Sequence, residues 1–254
     1  MKRLKSIGNK SIPVVFILLI LSLLEYLVDS GIIKAFIFPA PSDIGKALVK
    51  YAPSIFPHVL STLYVSLIGL VLGLVVAFVL AILMENISLV HKAIYPLLII
   101  SQNIPIIAIA PLIVLVLGFG VAPKIFCVAL ACFFPVVINL LEGFKSVDLD
   151  LINLIRSMGG RKMYILMTVK IPWAIFNLFS GLKIAATYCI ATAVIAEWLG
   201  GEKGIGVYIM TAKRSYLYDR MYAVIIITAL LGIVLVNLIS LLQKLTISWK
   251  QETK

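Results

Sequence analysis

The sequence predicts an all-α integral membrane protein with six transmembrane helices, and three observations lead there. Of its 254 residues, 62% are hydrophobic and only 13% are charged, with a mean hydropathy of +1.14, whereas a soluble domain carries about 25% charged residues. The apolar residues gather into six runs, about 12–28, 59–84, 94–117, 125–141, 173–199 and 222–242, each close to the length that crosses hydrocarbon as a helix. Between the fourth and fifth runs lies a long polar break with a helical pattern of its own. In lipid every backbone polar group must be satisfied within the protein, so runs of this length read as helices.

The first run follows the basic tail Lys2, Arg3, Lys5 and Lys10 and has the look of a signal peptide, but its flank at 25–30 lacks a small-x-small cleavage site. It is read as a true span. The segment 30–58 follows, where Pro39 and Pro41 enforce extended backbone. Ser42 or Asp43 is placed to cap a short helix over 44–51. The third run is the least regular: Pro96, Pro105 and Pro111 interrupt it, and Ser101, Gln102 and Asn103 put polar side chains near its middle. Such groups are tolerated at that depth only against protein or water, which makes Ser101, Gln102, Asn103 and Pro105 candidates for a translocation path or for inter-helix hydrogen bonding.

Lys183 in the fifth run carries a charge that hydrocarbon disfavours, so it is expected to face a cavity, a partner or the inner interface. Glu197 and Trp198 close the same run, with Trp198 as an interfacial anchor, and a glycine-rich turn over 199–206 follows. Glu197 reads as interfacial and as a further path candidate.

The formal charge of +11 invites a nucleic-acid reading, but its distribution argues against one. With the N-terminus inside, more than half of the Lys and Arg fall on the cytoplasmic side, including Lys92, Lys145, Arg156, Arg161, Lys162, Lys170 and Lys244. That bias favours N-in, C-in topology and contact with anionic lipid. Cys127, Cys132 and Cys189 lie inside spans without Cys-x-x-Cys spacing and read as packing residues. His58 and His91 fall in different loops, so no metal site is expected, and no other cofactor or catalytic residue is read from the chain. There is no Gly-x-x-x-x-Gly-Lys-Ser/Thr phosphate loop, so the chain does not bind ATP by that device.

The polar break over 151–172 is the most informative stretch. Leu151, Leu154, Ile155 and Met158 recur on one helix face, while Asn153, Arg156 and Ser157 point elsewhere. Gly159-Gly160 ends the helix, a second helical run covers 163–169, and Pro172 sits where the next span begins. An amphipathic pair held outside the bilayer is built to meet a soluble partner.

Gly159, followed nine residues later by Val169-Lys170-Ile171-Pro172, resembles the EAA loop of ABC-importer permeases, with Asn153, Leu154 and Ile155 in the Glu-Ala-Ala positions. The phrase Pro39-Ala40-Pro41-Ser42-Asp43 resembles the nitrate/sulfonate/taurine class of those permeases. The turn after Glu197 resembles the family's outer-gate feature. The resemblance implies the type-I permease fold. It places an N-terminal cytoplasmic tail, a first span and an outer connecting segment in 1–56, a five-helix transmembrane domain in 57–241 with a cytoplasmic coupling loop at about 144–172, and a cytoplasmic C-terminal tail in 242–254.

It also implies partners: two ABC ATPase subunits, an extracytoplasmic solute-binding protein, a second permease copy and membrane lipid, in a bacterial cell membrane. ATP hydrolysis then belongs to the separate subunits. Asn153, Leu154, Ile155, Arg156, Met158, Gly159, Gly160, Arg161 and Pro172 are the expected ATPase-coupling residues. The phrases Asn103-Ile104-Pro105, Gly118-Phe119-Gly120, Phe133-Phe134-Pro135 and Ala196-Glu197-Trp198-Leu199-Gly200 look closest to permeases for pyrimidine thiamine precursors, with riboflavin permeases similar. An ion-coupled carrier would need paired carboxylates inside the spans, and only Glu25 and Glu197 are candidates. An intramembrane protease would need a Gly-x-Ser-Gly site, which is absent.

Overall fold

The computed structural model describes the backbone of residues 2–247 and the side chains of residues 12–247. Among them every regular element is a helix: α1 (Lys2–Asp29), α2 (Pro41–Asn86), α3 (Ser88–Ser101), α4 (Ile106–Leu117), α5 (Val121–Lys145), α6 (Leu149–Ser157), α7 (Lys162–Ile165), a π-helical turn (Leu166–Lys170), α8 (Ile171–Glu197), α9 (Ile205–Arg214) and α10 (Tyr218–Thr246). The side chains of the basic N-terminal tail and the residues of the C-terminal tail after Ile247 lie outside the described residues.

Among the described residues, five helical runs are long and apolar enough to cross a membrane: Ile12–Asp29, Pro41–Asn86, Val121–Lys145, Lys162–Glu197 and Tyr218–Thr246. The third expected span differs from a simple crossing. It is two helices, α3 and α4, bent by 107° at the break 102–105, and counts as a sixth span only as a broken one. Pro105 supplies the reason, since it lacks an N–H and forces extended backbone before α4, where its own φ/ψ is −60°/129°. The short helix expected over 44–51 is also not separate: it is the first part of the 46-residue α2, which runs on through Pro53 and Pro57.

The chain divides into two compact units, one containing the chain up to Pro57 with Tyr208–Ile227, the other His58–Val207 with the chain from Thr228 onward. In the first unit the Glu25 carboxylate accepts a hydrogen bond from the Ser42 backbone N–H at 3.0 Å. The α2 N-terminus is therefore met by Glu25, with Pro41 as its first residue, rather than by Ser42 or Asp43. An acceptor there satisfies one of the open donors of the first turn and complements its partial positive charge. Asp43 instead pairs with Lys46 at 2.9 Å. The Arg220 guanidinium lies 3.8 Å from the centre of the Tyr51 ring, a cation–π contact beside the buried cluster of Ile44, Ala47 and Ala223.

The second unit holds the main core, which joins Val65, Leu70, Ala77 and Met84 of α2 to Val128, Val136, Leu140 and Phe144 of α5 and to Ala174, Ala185 and Ile190 of α8. Lipid is as apolar as leucine, so helices in a membrane are held by close packing, and small residues at the seams set how near they come. A Cβ on Gly69 would fall 2.6 Å from Val128 Cβ, and one on Gly73 would fall 2.5 Å from the Ala129 carbonyl oxygen. Gly69 and Gly73 thus form a small-xxx-small seam between α2 and α5. Gly143 and Gly181 do the same between α5 and α8, against Ala174 and the Pro135 carbonyl.

Replacing Gly73 by isoleucine should therefore lower the thermal unfolding midpoint of the detergent-purified protein, since overpacking such a seam costs about 1–3 kcal/mol. Gly232→Ala in α10, where an added Cβ meets nothing within 4 Å, should leave it unchanged or raise it. Equal behaviour of the two variants in a tryptophan-fluorescence melt would refute the seam.

Candidate functional site

Three places in the second unit depart from continuous helix, and each gathers residues that the sequence singles out. The first is the segment from Asp148 to Lys170. The Asp148 side chain accepts from the Asp150 N–H at 2.8 Å and opens α6. The helix ends in two hydrogen bonds, Gly159 N–H to Arg156 C=O at 3.0 Å and Gly160 N–H to Ile155 C=O at 2.9 Å. Gly159 sits at φ +89°. This is the left-handed glycine stop that Gly159-Gly160 predicts.

One residue that the apolar pattern passed over, Ile152, is the one turned inward, clustered with Val147 and Ile165. Ile155 packs partly against that cluster, while Leu151, Leu154 and Met158 face outward, with Met158 79% exposed. Asn153, Arg156 and Arg161 are exposed beside them. An exposed face of leucine and methionine with arginines at its border is a surface that expects a protein cover.

The expected helical run over 163–169 resolves into α7 and a π-helical turn, a geometry that is rare and concentrates at functional sites. Between it and α6 lies a groove of about 610 Å³ lined by Ile155, Met158, Gly159, Gly160, Arg161, Tyr164, Thr168 and Val169. The segment is tied to the end of α2 by two lysines. Lys162 donates to the C-terminal carbonyl of Asn86, and Lys170 pairs with Glu85 at 2.5 Å, both side chains 18% exposed. Pro172 is exposed in the first turn of α8, where its missing N–H is harmless.

The second place is the α3–α4 break. Ser101 Oγ donates to the Leu97 carbonyl at 2.6 Å, and Asn103 Nδ2 donates to the Ile99 carbonyl at 2.6 Å. The Asn103 bond meets a carbonyl in the last turn of α3, where the helix leaves acceptors open, while Ser101 bonds back within the helix. Gln102, Asn103 and Pro105 line a cavity of about 460 Å³, together with Ile104, Ile106, Ala131, Phe134, Pro135, Ile184, Tyr188 and Thr192. None of these eleven residues carries a charge. Ser101, Lys183 and Glu197 do not line it: Lys183 Nζ instead donates to Gln243 Oε1 at 2.5 Å. Tyr188 and Thr192 were not marked by the sequence, and Phe134 only within the phrase Phe133-Phe134-Pro135, because single aromatic and hydroxyl residues in apolar helices do not announce which face they occupy.

The third place is the far end of α8. Glu197, expected at the interface, is 1% exposed. Its Oε1 accepts from the Thr62 hydroxyl and its Oε2 from the Gly206 N–H, both at 2.7 Å. The same Thr62 oxygen accepts from the Ile205 N–H at 2.8 Å. His58 Nδ1 lies 3.0 Å from the Gly204 carbonyl and 3.1 Å from its N–H. Gly204 has φ +135°, and a Cβ there would overlap the Glu197 carboxyl group, so no other residue fits. Lys124, 7% exposed, brings its Nζ to within 2.6 Å of where a Gly201 Cβ would stand. One turn further along α2, the Ser66 hydroxyl is buried with no hydrogen-bond partner. Thr62 was legible only as a hydroxyl in an apolar run.

An open, uncharged cavity, an exposed amphipathic loop and a pinned loop at the opposite end of α8 thus stand on one helical frame. The model of the family described as "binding-protein-dependent transport system inner membrane component" matches residues 69–248, and the chain belongs to that family. It is a multi-pass membrane protein and the permease subunit of an ABC importer.

The chain is 30% identical to the formylaminopyrimidine transport permease protein ThiX of Halalkalibacterium halodurans, covering 94% of this chain and 96% of that one. It is 30% identical to the riboflavin transport system permease protein RibX of Chloroflexus aurantiacus (85% and 81% covered). To the putative aliphatic sulfonates transport permease protein SsuC of Bacillus subtilis it is 28% identical (87% and 80%). Among solved structures, an inward-facing MetNI methionine ABC transporter superposes with a TM-score of 0.67 at 16% identity, covering 75% of this chain and 94% of that chain. An amino acid ABC transporter superposes with a TM-score of 0.65 at 19% identity, covering 77% and 95%. The fold is that of type-I importer permeases.

Proposed function

We propose that the chain, as one of two copies in a bacterial cell membrane with both termini inside, forms the path by which a neutral pyrimidine precursor of thiamine enters the cell. The observation that carries the substrate reading is the cavity at the α3–α4 break. Its polar groups are the amides of Gln102 and Asn103 and the hydroxyls of Tyr188 and Thr192, beside the Phe134 ring. Such a lining offers donors and acceptors to the edge of a planar heterocycle and a ring face to stack on, at no charge cost. A sulfonate or nitrate would enter it without a cation to replace lost hydration. The 30% identity to a formylaminopyrimidine permease over nearly the whole chain supports the same class.

In this reading two ATPase subunits dock on the outward face of α6, with Leu151, Leu154, Met158 and the groove behind Gly159 as the contact. An extracytoplasmic binding protein delivers the substrate at the opposite end. Closure of the ATPases moves α6 as a rigid element and switches the path between its two openings. Asn153, Ile155, Arg156, Gly160, Arg161 and Pro172 shape or border that contact.

Expression of the complete transporter should restore growth of a thiamine-pyrimidine auxotroph on limiting precursor. Rescue of a riboflavin auxotroph instead would transfer the assignment to that neutral heterocycle, and ATP-driven uptake of sulfonate alone would overturn it. Gly159→Val isolates the coupling step. Space around Gly159 is open, with nothing within 4 Å of an added Cβ, so only its left-handed backbone resists, by about 1–2 kcal/mol. The variant should reach normal membrane levels yet lose most transport and ATPase co-purification, with Arg156→Ala milder. Wild-type transport by Gly159→Val would refute the coupling role.

A further inference from the structure

The bonds at the two ends of α2 and α8 belong together. Thr62 and Glu85 lie on α2 about 35 Å apart along the axis, and Lys170 and Glu197 bracket α8 over about 40 Å, at 1.5 Å per residue. Thr62 holds Glu197, and Glu85 holds Lys170, so the two helices run antiparallel and are pinned to each other at both ends. Lys170 is the last residue of the π-helical turn that closes the exposed loop after α6. Glu197 is the last residue of α8, and it also grips Gly206 beyond the 198–204 turn.

We infer that Thr62 and Glu197 form a clasp that makes the 198–206 loop follow movements of the Asp148–Lys170 loop. Thr62 and Glu197 are thus positioning residues for transport rather than parts of the path. The inference rests on the permease reading above and adds a regulatory link to it. The chemistry favours a clasp over ordinary packing. Both carboxylate oxygens of Glu197 are taken, one by a hydroxyl on α2 and the other by the first turn of α9. Thr62 uses its hydroxyl in both senses, donating to Glu197 and accepting from Ile205. Buried polar bonds of this kind fix one geometry, because any displacement leaves a buried carboxyl oxygen or N–H without a partner. Gly204 leaves no slack beside the carboxyl group. A rigid α8 therefore carries a displacement at Lys170 to the 198–206 loop without dissipating it in loop motion.

The test uses the complete transporter in proteoliposomes, with its ATPase and its binding protein loaded with substrate. Thr62→Val keeps the shape of the side chain and removes the hydroxyl. Thr62→Ser restores the hydroxyl, and Ser66→Ala removes an unpartnered hydroxyl from the same helix face. Thr62→Val should assemble with the ATPase and hydrolyse ATP at its basal rate, while stimulation by the loaded binding protein, and transport, fall roughly ten-fold, the scale of a typical coupling between sites. Thr62→Ser and Ser66→Ala should behave as wild type. Wild-type stimulation in Thr62→Val would overturn the clasp, as would a parallel loss of assembly, basal hydrolysis and stimulation that marks a merely structural role. If the wild-type complex itself shows no ATP-driven uptake, the permease reading fails rather than the clasp alone.

Discussion

A chain this apolar depends on one constraint: where water is absent, each backbone N–H and C=O must find its partner inside the protein. Long helices meet it automatically, and most of this molecule consists of them. The informative places are those where the helix stops. At 102–105 the chain bends by 107°, and the side chains of Ser101 and Asn103 turn back to bond carbonyls of α3. The same break that needs those bonds also opens an uncharged cavity against α5 and α8. The proline that enforces it and the polar residues that tolerate it are one device, so structural and transport readings of this segment are not rivals.

The same economy appears at the two ends of α8. Its first end is fastened to α2 by Lys170 and Glu85, and its last by Glu197 and Thr62. Between them the helix meets α5 through seams of glycine and alanine, where backbones approach closely and little side chain intervenes to deform. A rod so held is suited to carrying a displacement from an exposed loop to a turn on the far side. The lone charge in its middle, Lys183, is neutral to that role, because it is spent on Gln243.

Much of this was legible in the sequence, and the misses have physical causes. The helical spans followed from run length, and the stop at Gly159-Gly160 from the residues that favour left-handed backbone. The outward apolar face of α6 was legible in part: Leu151, Leu154 and Met158 face outward, but Ile152, outside the pattern, turns inward and Ile155, within it, packs partly beside it, because in a helix of nine residues periodicity does not say which contact is the inward one. Glu197 read as interfacial because a carboxylate at a span end usually is. Its burial depends on Thr62, which lies 135 positions away in the chain, and no local pattern announces a partner at that distance. Glu25 was weighed as a carrier carboxylate, yet it meets the α2 N-terminus instead, a pairing across a loop that local capping rules assign to Ser42 or Asp43. The seam at Gly69 and Gly73 was present as a Gly-xxx-Gly spacing and carried no weight until a neighbouring helix stood against it.

The central claim is that the exposed face of α6 is where an ATPase subunit grips this permease. A photo-cross-linking side chain placed at Leu154, which is 59% exposed, tests it most directly in membranes that contain the assembled transporter. The account predicts a covalent adduct with the ATPase subunit from position 154 and none from a matching probe at Glu202, in the turn beyond α8. Adducts from Glu202 but not from Leu154 would contradict it.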